Sequence, residues 1–271
     1  MENEDIEFWK DVSYQIIDEV SEAVSPLTGR EKSGKTVKMG ADGTPTKMID
    51  IVAEEKVIKI LKNTGKSVTL VSEEIGELKI GNGPSEVIFV VDPLDGTLNY
   101  AKRIPFFAVS IGVIINGEAR AGAIYNPVLD ELFVANAGCG ARLNGEPIHV
   151  TSRKSLRGAS VIFEWWNRES LIPDPLGLEK QLYGFTRSVR SPGSVALNLC
   201  AVASGRFDGM VTVFKKSPIY EIAAGCLIVQ EAGGRVTNSA RESWETYKGS
   251  VIAAGENIHA GILRVISGVG R

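Results

Sequence analysis

Two carboxylates three residues apart close an unusually apolar run, Val87-Ile88-Phe89-Val90-Val91-Asp92-Pro93-Leu94-Asp95-Gly96-Thr97-Leu98-Asn99-Tyr100. Val87 to Val91, all β-branched or aromatic, read as a buried strand, and carboxylates at the buried end of a strand need a cation. Pro93 has no N–H for a ladder and stiffens the turn, which lets Asp92 and Asp95 converge and leaves the Leu94 carbonyl as a further oxygen donor. Hard oxygen ligands without nitrogen or sulfur select magnesium, manganese or calcium. Gly96 admits a close backbone approach, and the Gly96 and Thr97 amides at a turn can hold phosphate oxygens. Taken alone, the motif is equally well an Asp-Gly turn capped by Asp92.

Other acidic positions tilt the balance toward a metal site. Thr69-Leu70-Val71-Ser72-Glu73-Glu74 is a second strand running into carboxylates, and two adjacent strands ending at one edge set Glu73 beside Asp92. Glu221 in Ile219-Tyr220-Glu221-Ile222-Ala223-Ala224-Gly225 opens a helix of small residues, where it also suits the helix dipole. Asp50, at another helix start, reads on composition as an ordinary cap. Zinc sites and Ser-His-Asp chemistry are poorly supplied, since His149 and His259 have no second His or Cys at ligand spacing. Cys139, Cys200 and Cys226 read as buried thiols.

A competing motif is Gly29-Arg30-Glu31-Lys32-Ser33-Gly34-Lys35-Thr36, which fits the P-loop pattern letter for letter. That loop works only between an entering strand and a leaving helix. Upstream lies an amphipathic helix, and Gly40, Gly43 and Pro45 downstream forbid another.

The elements that must position these groups follow from periodicity. Phe8, Val12, Ile16, Val20 and Val24 mark a helix over residues 5 to 24, with a second at 47 to 62. Ser25 to Thr46 between them reads as a long mobile loop with a turn at Asp42-Gly43-Thr44-Pro45. Strands are expected at 68–71, 87–91, 108–115, 119–125 and 132–135, with a hairpin turn at Asn116-Gly117 and another turn at Asn144-Gly145. The remainder alternates: strands at 160–163, 209–213, 235–237 and 251–254, helices at 194–204 and 220–232 and from 256. The fold class is therefore α/β, with layered helices and sheets.

With 271 residues, 44% of them hydrophobic, the chain can bury its own core. A net charge of -3 gives no electrostatic footprint for nucleic acid, so an anion must be gripped by metals or local amides. The acidic opening Met1-Glu2-Asn3-Glu4-Asp5 and the lack of an apolar run of ~20 residues predict a cytoplasmic protein without a membrane partner.

Asp92 to Asn99, Ser72-Glu73-Glu74, and Ala223-Ala224-Gly225 with Glu231-Ala232-Gly233-Gly234 together resemble the three ordered motifs of the inositol monophosphatase family over essentially the whole chain. The resemblance implies a layered sandwich forming one catalytic unit over 1–271. Its N-terminal half, 1–150, would carry the large mixed sheet and the metal motif, and 151–271 the substrate pocket and the last metal ligand. It further implies magnesium, two or three ions replaceable by manganese, with Glu73, Asp92 and the Leu94 carbonyl on one ion and Asp92, Asp95 and Glu221 on another. Thr97, oriented by Asp50, would help Glu73 activate water.

By the same resemblance Gly193, Ser194 and Val195 would support a small phosphorylated sugar or cyclitol, Lys215 and Lys216 a second phosphate, and the protein would be a homodimer. The type most resembled is the archaeal one acting on both fructose 1,6-bisphosphate and inositol 1-phosphate. A 3'(2'),5'-bisphosphate nucleotidase and a weakly active phosphate-binding relative are the alternatives on this scaffold. One departure stands out: Tyr220-Glu221 replaces the family's usual Trp-Asp.

Overall fold

The computed structural model describes residues 3–24, 36–39, 45–165, 170, 172–215, 218–244 and 250–268. In chain order these form α1 (Asn3–Val24), the strands β1 (Thr36–Met39) and β2 (Pro45–Lys47), α2 (Met48–Asn63), β3 (Val68–Ser72), β4 (Gly76–Ile80), β5 (Val87–Asp95) and α3 (Thr97–Lys102). Next come β6 (Ala108–Ile115), β7 (Glu118–Asn126), β8 (Glu131–Asn136), β9 (Ala141–Leu143), β10 (Glu146–Pro147), β11 (Ser160–Glu164), α4 (Pro175–Phe185), β12 (Ser188–Arg190) and α5 (Val195–Ala203). The chain finishes with β13 (Gly209–Thr212), α6 (Ile219–Glu231), β14 (Arg235–Thr237), β15 (Ile252–Ala254) and α7 (Glu256–Ile266).

An eight-stranded sheet in the order β10-β9-β8-β7-β6-β5-β3-β4 and a five-stranded sheet in the order β12-β11-β13-β15-β14 are stacked with helices into five layers. Alternation along the strands explains the stacking, because each strand offers apolar side chains to both faces. On β5, Phe89 and Val91 join Trp9, Ile16 and Val57 of α1 and α2, whereas Val90 joins the residues of α5 and α6. On the smaller sheet, Ile162 and Met210 meet α5 and α6, while Val161, Phe163 and Val211 meet Leu182 of α4 and Ile262 of α7. Helices α5 and α6 thus lie between the sheets, in a core cluster drawn from both halves of the chain.

The expected layering is observed, with several additions. β5 runs on past Val91 to Asp95, and β4, α3, α4 and β12 are short elements that periodicity did not separate from loops. The described part of 25–46 is no loop: β1 and β2 pair antiparallel, Met39 opposite Pro45. Thr36, the last residue of the P-loop pattern, begins a strand where a phosphate loop needs a helix; the rest of that pattern and the Asp42-Gly43-Thr44 turn lie outside the described residues. Cys200 and Cys226 are buried as expected, but Cys139 is exposed on a Gly-flanked turn. His259 is buried with Nε2 2.9 Å from Thr237 Oγ1, while His149 is exposed. Among the described residues no helix is long and apolar enough to cross a membrane.

Candidate active site

The parallel pairing of β3 with β5 sets the first two acids. Ser72 lies opposite Val91, so Glu73 and Asp92 follow at the same edge of the sheet. Against β6, Asp92 pairs with Ser110 and Asp95 with Ala108, three residues' advance against two. The surplus residue is a bulge at Pro93-Leu94, where proline has no N–H for the ladder. Inside the bulge the Leu94 N–H donates to Asp92 Oδ1 at 3.0 Å, and Thr97 Oγ1 donates to the Leu94 carbonyl at 3.0 Å. Gly96 closes the turn at φ 89°, where a Cβ would lie 3.0 Å from the Phe106 carbonyl, so a side chain is excluded twice over.

This geometry modifies one expectation. Thr97 was to be oriented by Asp50, but its single hydroxyl proton is committed to Leu94, which carries the carbonyl expected to ligate metal. Asp50 is buried in the first turn of α2.

Glu221 reaches the site because α6 sits unusually close to the large sheet. A Cβ on Gly112 would lie 3.0 Å from that of Ala223, and one on Gly122 would lie 2.9 Å from the Ala224 carbonyl oxygen. On the other side, Gly225 meets Leu199 of α5. The Ala-Ala-Gly element is therefore a packing device that brings the start of α6 over β6. There Ser110, the residue paired with Asp92, has its hydroxyl 3.5 Å from the Tyr220 carbonyl.

Asp95 is held by the opposite half of the protein. Its Oδ2 accepts the Ser194 hydroxyl and the Ala196 N–H, the latter at 2.8 Å, so one carboxylate oxygen is spent at the first turn of α5. Ser194 also caps that helix, accepting from the Leu197 N–H. Both the Ser194 and the Val195 side chains are fully buried, the first engaged with Asp95 and the second in the core, which leaves the backbone of this segment as its substrate-facing part. Gly193 is half-buried at φ 87°. Lys215 is exposed, and Lys216 lies outside the described residues.

Two further residues tie these elements together: Asn99, which closes the Asp92–Asn99 motif without a role of its own there, and Glu164, which the sequence did not single out. Asn99 donates through Nδ2 to the carbonyls of Phe106 and Pro192, at 2.8 Å each, and so joins the metal motif to the Pro192-Gly193 loop. Glu164, 0% exposed at the end of β11, accepts from Ser191 Oγ, the Gly193 N–H and Asn198 Nδ2. The available signal was Val161-Ile162-Phe163-Glu164, a third strand running into a carboxylate.

The electrostatics are those of crowded acids. Asp92, 2% exposed, is pushed well above the usual carboxylate range, first by burial and then by the charges of Glu73, Asp95 and Glu221. Asp95 rises to about 6, again chiefly by burial, against the pull of its bonds to Ser194, Ala196 and Val195. Four carboxylates therefore share one field, although among the described residues no three acidic, His or Cys side chains gather into a compact cage. The two facts are compatible, since Coulomb repulsion acts over longer distances than ligation and holds like charges apart. An all-oxygen set whose ionised forms are mutually destabilised fits a divalent hard cation.

Five alternating layers, with carboxylates at the ends of two adjacent strands and at the start of a helix packed on them, define a layered α/β protein with an acidic site. The sequence profile of the inositol monophosphatase family matches residues 3–271. The fructose-1,6-bisphosphatase/inositol-1-monophosphatase of Methanothermobacter thermautotrophicus is 42% identical over 250 residues, covering 88% of this chain and 87% of that protein. Among solved structures, the extragenic suppressor protein suhB of Bartonella henselae superposes with a TM-score of 0.84 at 30% identity, covering 95% of this chain and 97% of the other. The inositol monophosphatase of Anabaena gives 0.83 at 29% identity, with 97% of each chain covered. The chain belongs to the inositol monophosphatase family, whose members are metal-dependent phosphatases, and is a phosphoric monoester hydrolase.

Proposed function

We propose that this enzyme hydrolyses phosphate monoesters of small sugars and cyclitols, fructose 1,6-bisphosphate and inositol 1-phosphate among them, with magnesium held by Glu73, Asp92, the Leu94 carbonyl, Asp95 and Glu221. One observation carries the reading: a buried Asp92 flanked electrostatically by Glu73, Asp95 and Glu221, an arrangement costly without counter-cations. Bound magnesium neutralises the ester's charge, makes water more acidic and steadies the leaving oxygen.

The chain's own groups supply the rest. Glu73 accepts the proton of the attacking water, and Thr97 orients that water once its hydroxyl proton is released from Leu94, with Asp50 as the acceptor that turns it. The amides of Gly96 and Thr97 hold phosphate oxygens. The Gly193 backbone supports the ring of the substrate, and Lys215 with Lys216 receives a second phosphate. The substrate pair rests on the 42% identical archaeal relative, named for both activities.

A phosphate-release assay with and without magnesium tests the assignment on inositol 1-phosphate, fructose 1,6-bisphosphate and 3'-phosphoadenosine 5'-phosphate. Magnesium-dependent release from the first two is expected. Release from inositol 1-phosphate alone rejects the dual assignment, and preference for the nucleotide replaces it with the nucleotidase reading.

A further inference from the structure

We infer that Glu164 is a positioning residue of the phosphatase site, clamping the loop 191–194 that carries substrate support and anchors Asp95; this rests on the function proposed above. Four consecutive residues of that loop are tied to three side chains, Glu164, Asn99 and Asp95. Ser191 donates its hydroxyl to Glu164 Oε2 at 2.7 Å and Gly193 its N–H to Oε1 at 2.9 Å. Between them the Pro192 carbonyl accepts from Asn99 of the metal motif, and after them Ser194 donates to Asp95. Glu164 also accepts from Asn198 Nδ2 at 2.7 Å, which extends the clamp one turn into α5.

The chemistry argues against a filler role. A carboxylate with no exposed surface is costly to bury, and it persists only where donors satisfy it. Here three do, on two separate elements, through bonds of 2.7–2.9 Å that fix the loop against α5. Gly193 adds its own constraint: it stands at φ 87°, and a Cβ there would lie 3.3 Å from Asn99 Nδ2. The loop is thus held from the small sheet by Glu164 and from α3, just beyond β5 of the large sheet, by Asn99. Glu164 itself is walled off from solvent, so it acts through the Gly193 backbone and through Ser194 on Asp95.

Three variants of the full chain test this: Glu164→Ala, Glu164→Gln and Ser191→Ala. Glutamine keeps an acceptor for Gly193 and Asn198 and turns its amide toward the Ser191 oxygen, so the clamp survives the loss of charge. Measured are kcat and KM for the ester that wild type turns over, magnesium affinity by calorimetry without substrate, and the unfolding midpoint. Glu164→Ala should raise KM about tenfold and weaken magnesium several-fold, Glu164→Gln should stay within about threefold of wild type, and Ser191→Ala should fall between.

Wild-type KM and magnesium affinity in both Glu164→Ala and Ser191→Ala, with only the unfolding midpoint lowered, would overturn the clamp. Equal damage from glutamine and alanine would overturn it too. If Glu164→Ala does not fold, Glu164→Gln and Ser191→Ala decide by the same criteria. Should wild type release no phosphate, the functional reading falls instead, and magnesium calorimetry still reads the clamp.

Discussion

The hydroxyl of Ser194 donates to Oδ2 of Asp95, binding a carboxylate of the metal motif to the cap of a helix 99 residues further along the chain. The same serine oxygen accepts from the Leu197 N–H, so one side chain both starts α5 and orients an expected metal ligand. Removing it costs the cap, about 1 kcal/mol by the usual scale for serine, and frees Asp95 to rotate. Ser194→Ala should shift half-saturation by magnesium upward several-fold in a phosphate-release titration, while Ser194→Thr, which keeps the hydroxyl, restores it. An unchanged titration in the alanine variant would refute the coupling.

Asp95→Asn should abolish turnover, because the neutral amide removes one of the charges that hold the cations. Lys35→Ala, in the sequence that mimics a P-loop, should leave phosphate release within about twofold of wild type, as expected where that pattern does not work as a phosphate loop. Steady-state kinetics on both variants checks this, and the reverse pattern would reinstate a nucleotide-binding loop.

The metal-free protein should become more stable as pH falls through the range between about 6 and 4. Asp95 has its folded pKa raised from 3.8 to about 6, and burial raises Asp92 in the same direction. Within that window the folded state carries a proton that the unfolded state has released, so unfolding free energy declines as pH rises. Urea denaturation at several pH values in a chelator measures the trend. Saturating magnesium, which favours the ionised carboxylates, should flatten or reverse it. A metal-free protein that is most stable above pH 6 would contradict the assignment.

The close seat of α6 on the sheet can be probed from both partners. Gly122→Ala puts a Cβ 2.9 Å from the Ala224 carbonyl oxygen and should cost about 1–3 kcal/mol in urea unfolding, the range for overpacking. Glu221→Asp withdraws the carboxylate by one methylene and should lower turnover most at limiting magnesium. A large gain in turnover would instead mark the protein as a weakly active relative of the phosphatases.

The legible part of the site was local. Glu73 and Asp92 could be paired from sequence because each follows a short strand-forming run, and two adjacent strands ending at one edge set them side by side, as the parallel pairing of β3 and β5 does. Glu164 ends a run of the same kind, yet nothing nearby names its partners. They lie 27 to 34 residues away, on a loop and helix placed only by the sheet. The ribbon β1–β2 escaped notice for another reason: strands of four and three residues are too short for a period to emerge.

By itself the sequence determined the donor chemistry and the layering. Residue types choose oxygen ligands, Pro93 and Gly96 constrain the backbone within a few bonds, and hydrophobic periods of two and 3.6 decide which faces are buried. Tertiary structure alone decided which oxygens remain available. It committed one oxygen of Asp95 to α5 and the Thr97 proton to Leu94, and it buried the Ser194 and Val195 side chains. Those outcomes depend on contacts between segments far apart in sequence. Hydrogen-bond partners that meet only after two sheets and two helices have packed leave no periodic trace in the chain.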